Sequence, residues 1–169
     1  GLTAEPSPAK QAKYLEMAAL NGSSEAAFLL GLFHIRGLAG EPDHSQGERW
    51  LKIALERGVP QAADALIDLH TQTRHYFLQT GFEPSEAEAF QVALVGDSLG
   101  SAVACRYLAK AYAEGLGTTR DSDRAMHYTV KSAERYKEPS AQLRLGQTYL
   151  SGSGKLPVRL AKAKFYFQL

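Results

Sequence analysis

The chain of 169 residues has few of the features that mark several classes of protein. It has a single cysteine, Cys105, which excludes an internal disulfide framework and a thiolate metal cluster. No stretch approaches the roughly 20 consecutive apolar residues that a membrane-spanning helix needs. Runs rich in valine, isoleucine and threonine are absent, while alanine, leucine, glutamate, lysine and glutamine are frequent. This composition favours helices over strands.

Catalytic and nucleotide-binding motifs are also missing. The sequence contains neither a P-loop nor a dinucleotide-binding glycine fingerprint, and it has no H-E-x-x-H zinc motif. His70 and His75 are five residues apart, which does not match the spacing of helical zinc pairs, and no clustered carboxylates support a metal site. The letters G-D-S-L, which begin at Gly96, match an esterase signature by chance, because no strand precedes them to position a nucleophile. We therefore predict a protein that is not an enzyme and has no catalytic residue, metal or cofactor.

The formal net charge of +1 is unevenly distributed along the chain. Residues 1–85 carry 7 lysines and arginines against 10 acidic residues, whereas residues 86–169 carry 12 against 8. The sequence thus predicts an electrostatic dipole along the chain. Such a dipole can orient a charged partner, although salt screens it beyond about 8 Å.

The chain does contain an internal repeat. A pattern of alanine, leucine, a small residue and glycine, with offsets of four, five and eleven residues, begins at Ala26, Ala104 and Ala141. Apolar residues at three- and four-residue spacing predict two helices in each unit. Glycine inside a helix costs about 1 kcal/mol relative to alanine. Gly31 and the matching Gly47 therefore indicate that the two helices of a unit approach each other closely.

The ends of the predicted helices are marked in the sequence as well. The last glycine of each copy, such as Gly37 and Gly115, ends the first helix at a point that needs a positive φ. Asp43 and Asp121 follow six residues later, and each is placed to cap the next helix.

Two histidines belong to the repeat pattern. His34 and His70 occupy one repeat position, which Tyr112 and Tyr149 hold in the other copies. This equivalence predicts a packing role shared with tyrosine and not a ligand role.

The pattern resembles the Sel-one-like repeat family, a branch of the tetratricopeptide-like α/α solenoids. The residues that carry the resemblance are A-x-x-x-L-G…G-x-G from Ala141 to Gly154, and A-x-x-Y at Ala125 and Tyr128. The resemblance implies an all-α, right-handed α/α superhelical solenoid of about nine antiparallel-paired helices. A single solenoid over residues 1–169 then consists of a half repeat at 9–22, repeats at 26–58 and 104–137, a degenerate repeat at 62–100 and an incomplete repeat at 141–169. The incomplete ends predict an excerpt of a larger protein, or self-association through the open ends.

The unit at 62–100 departs most from the pattern. Ile67 occupies the position that Gly31 holds, and an insertion before the second helix predicts either a longer first helix or a protruding loop at Arg74–Phe82. Sequence drift explains this insertion, as does a loop displaced to hold a partner. Two registers of the second helix are acceptable: Glu86, Ala89 and Ala93, or Ala87, Phe90 and Leu94.

In tetratricopeptide-like stacks the first helices line the concave surface, so the resemblance implies which residues face a partner. These candidate partner-binding residues are Phe28, Leu32, Ile35, Arg36, Asp64, Asp68, Arg106, Tyr107, Lys110, Arg144 and Gln147. Their groove grades from apolar through acidic to basic and aromatic, and its basic end suits an anionic peptide or an acidic polymer. The alternative interpretation is that the apolar residues are buried and the charged ones are simply solvated.

We expect a scaffold that binds a protein or peptide partner along this groove. The resemblance implies roles such as assembling bacterial envelope complexes, including exopolysaccharide-export machinery, in a periplasmic or otherwise extracytoplasmic setting. The alternatives are an accessory repeat domain of a glycan- or peptidoglycan-active enzyme and a cytoplasmic adaptor. Nucleic acid is not an expected partner, because no aromatic residues interleave with the basic residues between Lys155 and Lys164.

Overall fold

The structure is a computed structural model that describes residues 7–72, 81–152 and 158–169. These ranges contain nine α-helices and no β-strand, which agrees with the predicted all-α class. The helices are α1 (Pro8–Leu20), α2 (Ser24–Ile35), α3 (His44–Glu56), α4 (Pro60–Gln72), α5 (Glu86–Ser98), α6 (Ala102–Glu114), α7 (Ser122–Arg135), α8 (Pro139–Ser151) and α9 (Leu160–Gln168).

The chain divides into two compact units, Gly1–Ala104 and Cys105–Leu169, with the division inside α6. In the first unit each helix from α1 to α5 packs against the next one along the chain. In the second unit α8 packs against both α7 and α9. The repeat that begins at Ala104 therefore lies almost wholly in the second unit. The handedness of the solenoid stays a prediction.

The predicted helix ends are confirmed. The Asp43 carboxylate accepts the N–H of Gln46 at 2.9 Å where α3 begins, and the Asp121 carboxylate accepts the N–H of Arg124 at 2.9 Å where α7 begins. Each cap satisfies an N–H group that has no partner within its helix. The glycines that end first helices have positive φ, namely Gly37 (61°), Gly115 (81°) and Gly152 (67°).

The close approach of helices at small residues is also confirmed in the first repeat. A Cβ placed on Gly31 would lie 3.1 Å from the Gly47 carbonyl oxygen and 2.7 Å from Leu51 Cγ. In the last repeat the ring of Phe167 covers Gly146, and a Cβ there would collide with it. Helix α2 therefore contacts α3, and α8 contacts α9, through a glycine backbone with a large side chain beside it.

The irregular repeat takes the first of the two predicted registers. Ala89 and Ala93 on α5 are fully buried, whereas Glu86 is exposed. Phe90, which belongs to the other register, is buried as well. The Ser85 hydroxyl caps α5 by accepting the N–H of Glu88 at 3.2 Å. Ser85 and Glu88 form the S-x-x-E signature of a helix start, which would have settled the register from the sequence.

The predicted protruding loop at Arg74–Phe82 lies mostly outside the described residues. Its last residue, Phe82, is described and is buried. The Phe82 ring lies between two imidazole rings, with centroids 5.9 Å from His44 and 5.6 Å from His70. This end of the insertion therefore belongs to the core of the first unit.

Candidate interaction site

One concave site lies in the second unit, between α6 and α8 with α7 as its floor. It has a volume of about 310 Å³. Three of the predicted partner-binding residues, Arg106, Lys110 and Arg144, line this one cleft. The other lining residues are Ala109, Glu114, Thr129, Ser132, Ser140 and Ala141. The cleft therefore brings together three cations and a single carboxylate.

Local packing fixes the elements that form this cleft. Tyr112 on α6 stacks on Tyr128 of α7, with ring centroids 5.8 Å apart and planes 10° apart. The Arg124 guanidinium lies over the Tyr112 ring at 5.4 Å, and its Nη1 donates to the Tyr112 hydroxyl at 3.2 Å. Tyr149 and Tyr166 form the corresponding stacked pair between α8 and α9. The packing role predicted for this repeat position is thus confirmed for both tyrosines.

The cleft exists because two facing repeat positions are filled differently here. In the first repeat the position eight residues after the cap of the second helix holds Leu51, which covers Gly31. The same position in the last repeat holds Phe167. In the second unit's first repeat it holds Thr129, opposite Ala109. A threonine facing an alanine fills less volume than a leucine or a phenylalanine facing a glycine, so the surface stays concave.

The three cations of the cleft differ in their partners. Arg144 Nη2 donates to Thr129 Oγ1 at 2.8 Å. Arg106 Nη1 lies 3.6 Å from Glu138 Oε1, and its side chain is 55% exposed, so this ion pair is weak. Lys110 is exposed and forms no ion pair with any residue that the structure describes. The cleft therefore has positive charge that its own carboxylates do not neutralise.

Two further predicted residues of the second unit lie differently. Tyr107 was predicted to face the groove with an accessible ring. It is only 8% exposed, so its ring belongs to the core. This burial follows from its place on α6, where Leu108 and Ala104 are buried beside it. Gln147 is exposed on α8 but does not line the cleft.

The predicted residues of the first unit are half-buried or exposed, and their place on one groove stays a prediction. Ile35 packs against Gly47 inside its own repeat and is half-buried. Phe28 and Leu32 are half-buried, and Arg36 and Asp68 are exposed. The half-buried Asp64 accepts a hydrogen bond from the Ser101 hydroxyl, which in turn caps α6 by accepting the N–H of Ala104 at 2.9 Å.

A polar cluster in the first unit was not predicted from the sequence. Lys52 Nζ lies 2.8 Å from Glu48 Oε1 and 3.1 Å from Glu88 Oε2. His70 Nε2 lies 3.4 Å from the same Glu48 oxygen, and the three acidic and imidazole ligand atoms lie within 4.8 Å of one another. This spacing is near that of a metal site. Glu48, His70 and Glu88 come from three different helices, so no short sequence motif predicts the cluster.

Two contacts argue against metal binding by this cluster. The Lys52 ammonium already lies between the two carboxylates, where a metal ion would bind. The backbone N–H of Ser85 donates to His70 Nδ1 at 3.3 Å, so neutral His70 carries its proton on Nε2, which lies 3.4 Å from Glu48 Oε1 without forming a hydrogen bond. A metal needs a free lone pair on that nitrogen. Burial lowers the pKa of His70, although Glu48 opposes this shift.

A second concave region lies in the first unit, between α1, α2 and α3. It has a volume of about 940 Å³ and is lined by Trp50, His34 and Leu30 together with Lys13 and Arg49. This region was not predicted from the sequence, because its walls come from a half repeat and the repeat after it.

These features define the class of the protein: an all-α repeat solenoid in which small residues and capped helices recur at fixed offsets. The Sel1 repeat family model matches residues 24–59, 102–136 and 139–169, which is most of the chain. The chain therefore belongs to the Sel1 repeat family, as its sequence pattern indicated. Folds of this family generally mediate protein–protein interaction, and its members are typically non-enzymatic scaffolds.

Solved structures agree with this assignment. A Sel1 repeat protein from Oxalobacter formigenes is similar over 93% of this chain, with 24% identity and a TM-score of 0.69. A protective antigen present in uropathogenic Escherichia coli strains, which displays an SLR fold, is similar over 92% of this chain, with 26% identity and a TM-score of 0.74. The chain spans 59% of the first of these proteins and 32% of the second. Among the helices in the described ranges, none is long and apolar enough to cross a membrane.

Proposed function

We propose that the chain is a non-enzymatic scaffold that binds a segment of a partner protein in the cleft between α6, α7 and α8. The observation that carries this proposal is the convergence of Arg106, Lys110 and Arg144 on one cleft. Their positions come from two successive repeats, so the repeat geometry itself assembles the surface. Arginine in particular is enriched at protein interfaces.

The size and charge of the cleft indicate the kind of segment that it accepts. Its volume of about 310 Å³ lies at the lower end of the range of ligand pockets, roughly 300–1,000 Å³. It therefore takes a few side chains of an extended segment and not a folded domain. Complementary charge would speed the encounter and select the partner more than it would strengthen the complex.

Site-specific crosslinking tests this proposal. The photo-crosslinking amino acid p-benzoylphenylalanine replaces Lys110, and the protein is expressed in its own cells before irradiation. We expect a discrete crosslinked species, whose partner peptide mass spectrometry then maps. That species should disappear when Arg106 and Arg144 are both changed to glutamate, because the cleft would then repel the segment.

The matched control places the same crosslinker at Lys164, an exposed lysine on α9 of the same unit that does not line the cleft. It should not yield this species, and Lys164→Glu should leave the crosslink from position 110 unchanged. A crosslink that survives the double charge reversal, or that forms equally from position 164, would refute binding in the cleft.

We also propose an envelope setting, where the scaffold assembles a bacterial envelope complex. Its support is the family resemblance alone. Fractionation of the native cells tests it, and recovery of the protein only with the cytoplasmic fraction would refute it.

A further inference from the structure

Resting on the proposed function, we propose that Arg144 anchors the partner segment by binding the side-chain carboxylate of an acidic residue, and that Thr129 positions Arg144 for this contact. The partner segment is therefore an acidic peptide.

A chain of two hydrogen bonds sets the direction of the Arg144 side chain. Thr129 is only 5% exposed, and its hydroxyl donates to the Ala125 carbonyl oxygen at 2.7 Å. Because the hydroxyl proton is used in that bond, the oxygen has only lone pairs to offer, and it accepts from Arg144 Nη2 at 2.8 Å. The exposed guanidinium is thus hydrogen-bonded to a buried hydroxyl of α7 that is itself held by the helix backbone.

This arrangement leaves most of the guanidinium available to a partner. A guanidinium has five N–H donors, and Thr129 accepts from one of its nitrogens. No carboxylate pairs with Arg144 in the part of the chain that the structure describes. A carboxylate can therefore bind through two parallel N–H···O bonds. Since Thr129 already restricts the side chain, binding loses less rotamer entropy than it would at a free arginine.

The other two cations of the cleft lack such support. Arg106 shares its charge with Glu138 at 3.6 Å and is mostly solvated. Lys110 is a point charge on a flexible stem, without the planar fork of arginine. These two residues raise the local positive potential, whereas Arg144 provides the directional contact.

The lining of the cleft favours a peptide over a nucleic acid. None of the described lining residues is aromatic, so bases would find no ring on which to stack. The small side chains of Ala109, Ala141 and Ser140 instead let an extended backbone approach closely. An anionic glycan carries the same carboxylate chemistry and is therefore a separate arm of the test.

The probe is a fluorescein-labelled peptide with four consecutive glutamates between glycine–serine flanks, and its control has glutamine at those four positions. Fluorescence anisotropy at low ionic strength gives the Kd for each variant of the chain. We expect Arg144→Lys, which keeps the charge but loses the fork, to weaken binding of the glutamate peptide by about 3-fold to 10-fold. Thr129→Val should do the same, while Thr129→Ser should bind as the unchanged protein does.

Circular dichroism melting checks that each variant folds. Arg144 is exposed, so Arg144→Lys keeps the test decisive even if Thr129→Val does not fold. Equal affinity of the unchanged protein and of Arg144→Lys for the glutamate peptide would overturn the anchor. The proposed function would then still stand on the crosslink from position 110.

Two further outcomes also decide the proposal. Equal binding of the glutamate and glutamine peptides would overturn the acidic partner. Tighter binding of tetragalacturonate than of the glutamate peptide would overturn the peptide in favour of a glycan. Absence of any crosslink from position 110 when Arg106 and Arg144 are unchanged is a different result, because it would refute the proposed function itself.

Discussion

The irregular repeat of the first unit and the regular repeats of the second solve the same packing problem in opposite ways. In the second unit, stacked tyrosines join the two helices of a repeat, and a cation three residues after the cap lies over the first ring: Arg124 over Tyr112, and Lys162 over Tyr149 at 5.1 Å. In the irregular repeat these two positions hold Glu88 and His70, and Lys52 from the preceding helix supplies the cation. The irregular repeat therefore has a carboxylate where the regular repeats have a cation, and an imidazole where they have a tyrosine ring.

The apolar positions show a similar exchange. The first repeat places glycine on its first helix and leucine on its second, at Gly31 and Leu51. The irregular repeat places Ile67 and Ala93 at those positions, and both are buried. The large residue has moved from the second helix to the first, so the total volume is roughly kept. Core packing tolerates such exchanges when volume is conserved.

The largest expected effect comes from replacing Ile67 with the glycine that the first repeat has at this position, Gly31. Because Ile67 is 3% exposed, Ile67→Gly should lower the free energy of unfolding by about 4 kcal/mol through the lost side chain and the added backbone freedom. Urea unfolding followed by the fluorescence of Trp50, the only tryptophan and a residue of the first unit, measures it.

The exchange itself is checked by the double variant Ile67→Gly with Ala93→Leu, which has the residue sizes of the first repeat. It should regain about half of the loss, although Ala93→Leu alone should destabilise by about 1–3 kcal/mol through overpacking. A double variant no more stable than Ile67→Gly would show that the two positions do not share one space.

A smaller difference in unfolding free energy is expected between alanine substitutions at two buried glycines, Gly96 and Gly146. A Cβ on Gly96 of α5 would lie 2.6 Å from Ala63 Cβ and 2.9 Å from Ala104 Cβ, and neither atom can turn away. We expect Gly96→Ala to cost about 2 kcal/mol, even after its gain in helix propensity.

Gly146→Ala is the matched control in the second unit. The obstructing atoms there belong to the ring of Phe167, which is half exposed and can rotate. Its change in unfolding free energy should stay within about 0.5 kcal/mol of zero in chemical denaturation. Equal losses for the two variants would mean that the first unit is no more tightly packed than the second.

The smallest effect is a pH dependence of the first unit. Burial lowers the pKa of His70 and of His44, so the folded state binds fewer protons than the unfolded state once the pH falls below about 6.5. Stability is therefore retained above that pH and lost as the pH falls through it, by up to about 1 kcal/mol per histidine near pH 5.5. The urea midpoint of the first unit should drop less steeply with pH in His70→Gln. An identical slope in the two proteins would place the titration elsewhere.

Local signals predicted the fold well because each one acts within a few residues. The aspartate caps and the positive-φ glycines are such signals, and the repeat offset also predicted the packing role of Tyr112 and Tyr149. The polar cluster of Glu48, His70 and Glu88 could not be predicted, because its members meet only when three helices pack. The burial of Tyr107 was missed for a related reason: its surroundings depend on packing between helices, and the family pattern alone assigned it to a surface. The cleft was partly predicted, since its cations were found but the small residues beneath them were not.

The helix caps have a consequence for how such a chain can be rearranged. Ser23, Asp43, Ser85 and Asp121 each accept an N–H two or three residues ahead in the same helix, so α2, α3, α5 and α7 each carry their own start signal. The start of such a helix therefore does not depend on a side chain from the neighbouring repeat. Ser101 is different, because Asp64 from the preceding repeat holds its hydroxyl. Recombining the gene between these two residues would remove the hydrogen bond that supports the cap of α6, so this joint depends on its neighbour in a way that the other capped helix starts do not.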